Sequence, residues 1–256
     1  MVYCIYFFSR FYMQKTKRFF TVILSITTAI LTIAVVVLTC LLIKNAPPAP
    51  PTPHQQYYNN KCNTYQTENY YYAKGQIVFI GDSITDLYVL DEHYADLPLA
   101  TYNRGIGGDT TKGVLNRLQV SIFDIKPSKI VLIIGTNDIN GGESNAEILT
   151  RYTEIVQTIR STLPNAELYC TSIIPQNDDL VTYSSINVAT TTEKILQLNP
   201  AIAEIARTNG ATFINLFPLL ADENNRLIKA YSDDGLHLNY AGLTVWTNLL
   251  KPYLQS

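Results

Sequence analysis

The stretch Gln76-Ile-Val-Phe-Ile80, followed by Gly81-Asp82-Ser83-Ile84-Thr85, decides how this chain folds. A short apolar run without polar alternation, closed by a glycine, reads as a strand buried on both faces, the kind found in parallel sheets. The pattern recurs. Lys129-Ile-Val-Leu-Ile-Ile134 ends in Gly135, Glu167-Leu-Tyr-Cys-Thr-Ser-Ile-Ile174 stops at Pro175, and Ala211-Thr-Phe-Ile-Asn-Leu216 stops before Pro218. Thr101-Tyr-Asn103 reads as a fifth, very short strand. Helical patterns lie between the strands, at Thr111–Val120, Asn145–Leu163, Thr191–Thr208 and Tyr240–Leu254. This alternation predicts an α/β domain of three layers, α/β/α. Ligands of such sheets bind beyond the carboxyl ends of the strands, so the residues after each strand are where chemistry is expected.

The whole chain has 256 residues, 47% apolar and 16% charged, with a formal net charge of -2. Collagen-like, low-complexity and disulfide-dense architectures are excluded on that composition. The charge is uneven: residues 1–72 carry six Lys/Arg (Arg10, Lys15, Lys17, Arg18, Lys44, Lys61) against Glu68 alone, and residues 73–256 are net acidic. An acidic body without a basic run argues against a nucleic-acid partner. Residues 73–256 suffice for one domain with a sizeable core and are too few for two.

Phe19–Ile43 is a run of 25 residues without a charge. As a helix it would extend about 37 Å, more than the ~30 Å of bilayer hydrocarbon, whereas the apolar core of a cleaved signal peptide is usually about 7–15 residues. It is therefore expected to span a membrane, after a short cytoplasmic segment, residues 1–18. Basic residues cluster before it, so the positive-inside bias puts the N-terminus in the cytoplasm and residue 44 onward outside. Met1 and Met13 both remain possible starts, and retention or cleavage of the helix stays open. Residues 44–72, with Pro47-Pro-Ala-Pro-Pro-Thr-Pro53 and then Gln, Asn and Tyr, read as an extended extracytoplasmic spacer, since clustered prolines disfavour helix and sheet. Of the four cysteines, Cys170 lies in an apolar run and is expected to be a buried free thiol.

The strand ends carry distinctive groups. Gly81-Asp82-Ser83 places a serine where a helix would begin, although Ser and Asp are also ordinary helix caps. Asn103-Arg-Gly-Ile-Gly-Gly108-Asp-Thr110 has three glycines in four positions, suited to close approach of backbone N–H groups to an oxygen anion; its spacing fails the dinucleotide fingerprint. Gly135-Thr-Asn137-Asp138 offers a side-chain amide. Asp233-Asp234-Gly-Leu-His237-Leu-Asn sets an acid three residues before a histidine, so one turn can join the carboxylate to one ring nitrogen and leave the other facing a hydroxyl. His54 falls in the predicted spacer and His93 lacks an acid at that spacing. No Cys/His cluster has metal-ligand spacing, and neither metal nor cofactor is expected.

These four blocks, in this order, resemble the SGNH (GDSL) esterase and lipase superfamily, in the branch like the catalytic subunits of platelet-activating-factor acetylhydrolase, over about residues 76–252. The resemblance implies a flavodoxin-like domain, residues 73–256, around a central five-stranded parallel sheet. It implies that Ser83 is the nucleophile, His237 its base and Asp234 the residue orienting His237. It further implies an oxyanion hole formed by the backbone N–H groups of Ser83 and Gly108 and the side-chain amide of Asn137. The expected function is a membrane-anchored, outward-facing serine esterase removing short acyl groups, acetyl foremost, from small esters or from carbohydrate and cell-envelope glycans. A lipase or lysophospholipase, or an O-acyltransferase, would use the same three residues; a tethered glycan-binding module is the non-enzymatic alternative. Specificity is expected in two loops, Asp86–Leu99 and Pro175–Asn187.

Overall fold

The computed structural model describes residues 2–44, 50–181 and 188–255. Two compact units are present, Met1–Pro51 and Thr52–Ser256. The first is built on one helix, α1 (Val2–Lys44), of which Tyr12–Leu41 is long and apolar enough to cross a membrane. The hydroxyls of Thr16, Thr21, Ser25, Thr27, Thr28, Thr32 and Thr39 each donate to a carbonyl three or four residues back. Those polar groups are thereby satisfied inside the helix, as an apolar solvent requires.

The second unit opens with α2 (Pro53–Glu68), and here the sequence expectation is corrected. The spacer predicted over residues 44–72 is, from Thr52 on, a capped helix packed on the domain; residues 45–49 lie outside the described residues. Thr52 accepts from Gln55 N while the Gln55 side chain accepts from Thr52 N, closing a capping box, and Pro53 occupies the first helical turn. Proline is tolerated there because that N–H has no intrahelical partner in any case. Tyr65, on the inner face, is buried. Beyond the helix, Asn69 donates through its amide to Val120 O at 2.7 Å.

The sheet follows as predicted in number and direction. Strands β1 (Ile77–Gly81), β2 (Thr101–Gly105), β3 (Lys129–Ile133), β4 (Glu167–Thr171) and β5 (Thr212–Ile214) run parallel in the order β2-β1-β3-β4-β5. Short helices α3 (Ser83–Asp86) and α4 (Leu90–Tyr94) come between β1 and β2. The predicted helix Thr111–Val120 is instead α5 (Thr111–Asn116) followed by a π-helical turn at Gln119–Phe123. Next come α6 (Thr136–Asn140) and α7 (Asn145–Thr162) after β3, and α8 (Val188–Thr208) after β4. The chain closes with α9 (Phe217–Leu220), a 3-10 turn at Lys229–Tyr231 and α10 (Tyr240–Gln255).

Alternation along each strand divides the core into two layers. Val78, Ile80, Ile130 and Leu132 meet Val114, Ile148, Ile155 and Ile195 of α5, α7 and α8. Ile77, Phe79, Val131 and Ile133 face the other way, toward Ile84, Leu90, Trp246 and Leu250 of α3, α4 and α10. Neighbours lie on both faces, which is why the strands show no polar alternation. The order reverses around β1, with β2 on one side and β3 on the other, so the crevice for a ligand lies past Gly81.

Arg104 of β2 shows why α2 belongs to this unit. Its guanidinium, fully buried, pairs with Glu68, accepts company from the Tyr65 ring at 4.5 Å, and donates to Asn69 Oδ1 at 2.9 Å. Residues 52–256 are therefore expected to unfold in one cooperative step, followed by the fluorescence of Trp246. In urea titrations Glu68→Ala should lower the stability of that unit by about 1–3 kcal/mol, because a buried charged donor loses its acceptor.

Candidate active site

Ser83 is the first residue of α3, and Asp82 caps that helix: Asp82 Oδ1 accepts the Ile84 N–H at 2.9 Å. The serine hydroxyl thus stands just beyond β1, beside the ends of β2 and β3. Across the crevice, Asp234 and His237 sit in the turn that leads into α10. Asp234 Oδ1 accepts the backbone N–H groups of Leu236 and His237 at 2.9 and 2.8 Å, and Asp234 Oδ2 lies 2.6 Å from His237 Nδ1. The other ring nitrogen, His237 Nε2, is 2.9 Å from Ser83 Oγ.

The tautomer follows from charge. Partial burial works to raise the Asp234 pKa, but hydrogen bonds from the His237 ring and from two backbone N–H groups outweigh it and hold the carboxyl below its ordinary range. An ionised Asp234 accepts, so Nδ1 carries the proton and donates, leaving the Nε2 lone pair to accept from the Ser83 hydroxyl. The turn itself is held from outside. Gly235 has φ +76°, and a side chain there would strike the Asn177 carbonyl. Asn177 N donates to Gly235 O at 2.8 Å, and the Ser232 hydroxyl accepts the Gly235 N–H at 2.8 Å.

The Asn177 contact comes from one of the two loops expected to set specificity. In Pro175–Asn187, Gln176 and Asn177 are buried and Asn177 supports the Asp234–His237 turn through Gly235 O, while residues 182–187 lie outside the described residues. In Asp86–Leu99, Leu87 and Val89 are exposed and Tyr88 and Tyr94 are buried in the aromatic core. His93, without an acid at helical spacing, is likewise a buried residue, its Nδ1 3.0 Å from Thr247 Oγ1. Cys170 is a buried free thiol, its pKa pushed up to about 12 by burial.

The glycine loop after β2 brings Gly108, at φ +75°, to the same end of the sheet. Asn137, in the first turn of α6, donates from Nδ2 to Asp109 O at 2.9 Å, which ties the amide to that loop. The residues proposed from sequence therefore gather at one crevice. Sequence reasoning missed what lies beneath them. Arg117, fully buried, pairs through Nε with Asp109 Oδ2 at 2.7 Å and donates to Arg104 O at 2.8 Å and Gly81 O at 2.9 Å. Asp138, also buried, accepts from the Thr111 N–H and hydroxyl. Arg117 and Asp109 are 8 residues apart, but the other partners lie 13 to 36 residues away and nothing local in the sequence marks them.

Asp82 is the outlier. It is fully buried, its Oδ2 has no hydrogen-bond partner, and burial first, then the nearby Asp109 and Asp138 carboxylates, push its pKa up to about 7. A carboxyl that titrates higher in the folded chain than in the unfolded one favours folding while protonated. Stability is then full below the unfolded value and declines as pH rises from about 4 to about 7. Asp82→Asn, which keeps the cap acceptor, should flatten that decline and leave the variant more stable than the parent chain above neutrality, as read by urea midpoints of the 52–256 unit across pH.

Comparison with known proteins identifies the family. The model of the GDSL-like Lipase/Acylhydrolase family matches residues 79–245. Subunit alpha1 of platelet-activating factor acetylhydrolase IB from Homo sapiens is 30% identical over 173 residues, 66% of this chain and 71% of that protein. The Homo sapiens alpha2 subunit is 36% identical over 105 residues, 40% of this chain, and that alignment spans only 45% of the subunit. A solved structure from Streptococcus pneumonia superposes with a TM-score of 0.71 at 31% identity, covering 87% of this chain and 99% of that one. The chain belongs to the GDSL-like lipase/acylhydrolase family.

Proposed function

We propose that this protein is a membrane-anchored, outward-facing serine esterase that removes short acyl groups, acetyl foremost, from carbohydrate or cell-envelope glycans. The observation that carries the chemistry is the continuous line from Asp234 Oδ2 through the His237 ring to Ser83 Oγ, at 2.6 and 2.9 Å. A serine hydroxyl is a poor nucleophile until a base takes its proton. In this reading His237 Nε2 accepts that proton as Ser83 Oγ bonds to the ester carbonyl carbon, and Asp234 stabilises the imidazolium. The carbonyl oxygen takes the negative charge in the tetrahedral intermediate. Collapse breaks the ester C–O bond, His237 returns the proton to the departing alkoxide, and acyl-Ser83 remains. Water, deprotonated by His237, repeats the sequence and releases the acid.

The N–H groups of Ser83 and Gly108 and the amide of Asn137 are the donors assigned to the developing oxyanion. Asn137 spends one of its two N–H bonds on Asp109 O and keeps the other for substrate. The acetyl group is supported by the acetylhydrolase names of the Homo sapiens relatives. Anchoring is supported by the apolar helix Tyr12–Leu41, and the outward orientation by the basic residues before it. A catalytic unit tethered there meets surface polymers first.

Aryl acetate hydrolysis by the full chain should fall at least about 10³-fold in Ser83→Ala and His237→Ala. Asn137→Ala should lower kcat by about 10²–10³ with the fold intact. Parent-like rates in the first two would remove the assignment. A fluorophosphonate should label Ser83, which a mere binding module would not allow, and a chain-length series of esters separates short-acyl specificity from lipase specificity. Protease added to intact cells that express the full chain should reach residues 52–256; protection of that unit would reverse the orientation.

A further inference from the structure

We propose that α2 is a working part of the catalytic site, holding the peptide between Gly107 and Gly108 so that the Gly108 N–H stays aimed as an oxyanion donor; this rests on the esterase reading above. The helix precedes the region matched by the family model, which begins at residue 79. Its contacts nonetheless converge on the glycine loop. His54 Nε2 donates to Gly107 O at 3.2 Å, and a side chain on Gly108 would come within 2.6 Å of that same nitrogen. On the other side of Gly107, its N–H donates to Asp86 Oδ2 at 2.9 Å. Asp86 in turn is gripped from α2, by the Tyr57 hydroxyl on Oδ2 at 2.5 Å and by Lys61 Nζ on Oδ1 at 2.7 Å.

Peptide geometry gives these contacts their meaning. The Gly107 carbonyl and the Gly108 N–H belong to one planar trans unit and point in opposite directions. A donor fixed on the carbonyl therefore fixes the direction of the N–H, and a hydrogen bond accepted at the oxygen polarises the unit toward stronger donation. Glycines on both sides of that peptide impose little of their own, since glycine visits positive φ as readily as negative. Orientation has to come from outside the loop. His54 supplies it at the carbonyl, and Asp86 supplies it at the preceding N–H. Asp86 is also the last residue of α3, the helix that Ser83 opens, so the same carboxylate joins nucleophile and loop in one rigid piece. Tyr57 stays a donor throughout, because burial and the adjacent Asp86 carboxylate push its pKa up to about 12. His54, Tyr57, Lys61 and Asp86 are thus positioning residues, none of which touches the reacting atoms.

The test uses the full chain in detergent with p-nitrophenyl acetate, beside Ser83→Ala as the blank. A group that acts only on the transition state changes kcat and leaves KM alone. His54→Ala is expected to lower kcat roughly 5- to 30-fold, less than the about 10²–10³ seen when an oxyanion donor is removed outright, with KM within about 2-fold and an unchanged thermal midpoint. His54→Gln, whose amide can still donate to the carbonyl, should recover most of the loss. Tyr57→Phe removes one hydroxyl from Asp86 without disturbing the helix and should lower kcat several-fold in the same pattern. Unchanged kcat in both His54→Ala and Tyr57→Phe overturns the proposal, as does a loss confined to KM or one that tracks the thermal midpoint without rescue by Gln. A parent chain lacking Ser83-dependent turnover sinks the esterase reading itself and this inference with it.

Discussion

The buried Arg117 guanidinium is the interaction on which the crevice depends. From one side chain it reaches the carbonyl that ends β1, a carbonyl near the end of β2, the Ser121 hydroxyl and the Asp109 carboxylate of the glycine loop. A cation taken out of water is tolerated only when its donors are matched and a counter-charge is close, and here both conditions hold. The pairing also explains a conflict within the loop. Three glycines permit many backbone paths, and the ion pair with Asp109, together with the Asn137 amide on the Asp109 carbonyl, selects one of them. The ends of two strands and the loop that follows the second are thereby set relative to Ser83, which is the preorganisation that the proposed acyl transfer asks of its donors.

Much of this architecture was legible in the residues. The central strands β1 and β3 announced themselves because each is buried on both faces, so Ile77–Ile80 and Ile130–Ile134 show uninterrupted apolar character. Asp234 and His237 were legible for a different reason: their pairing is local, three residues apart, and one turn closes it. Ser83 and Asn137 could be placed because both lie within a few residues of a strand end. The meeting of Ser83 with His237, 154 residues beyond it, comes from sheet order and was available only through the succession of blocks.

Much of what the sequence concealed has one physical cause, the pairing of groups distant along the chain. Arg104 and Glu68 are 36 residues apart and Tyr57 and Asp86 are 29 apart, and nothing in either neighbourhood signals the match. The prolines before α2 compounded this. They read as an extended tract, yet Thr52-Pro53-His54-Gln55 holds the opposite signal, a capping residue, a proline in the first turn and a glutamine at the third position. The composition of the segment argued for a spacer; the order of four residues within it argued for a helix start, and order decided. The π-helical turn at Gln119–Phe123 also takes part in a distant contact, receiving the Asn69 amide on Val120 O.

The position of α2 as the first element of its unit has a mechanical consequence. Any pull that reaches Thr52 along the backbone enters the fold through this helix, and the sheet lies further along the load path. The contacts loaded earliest are those of His54 and Tyr57 with the glycine loop and Asp86, while the ladder of five strands is spared. If α2 holds the glycine loop as proposed, strain at that attachment point would be felt as a change in turnover before it was felt as unfolding.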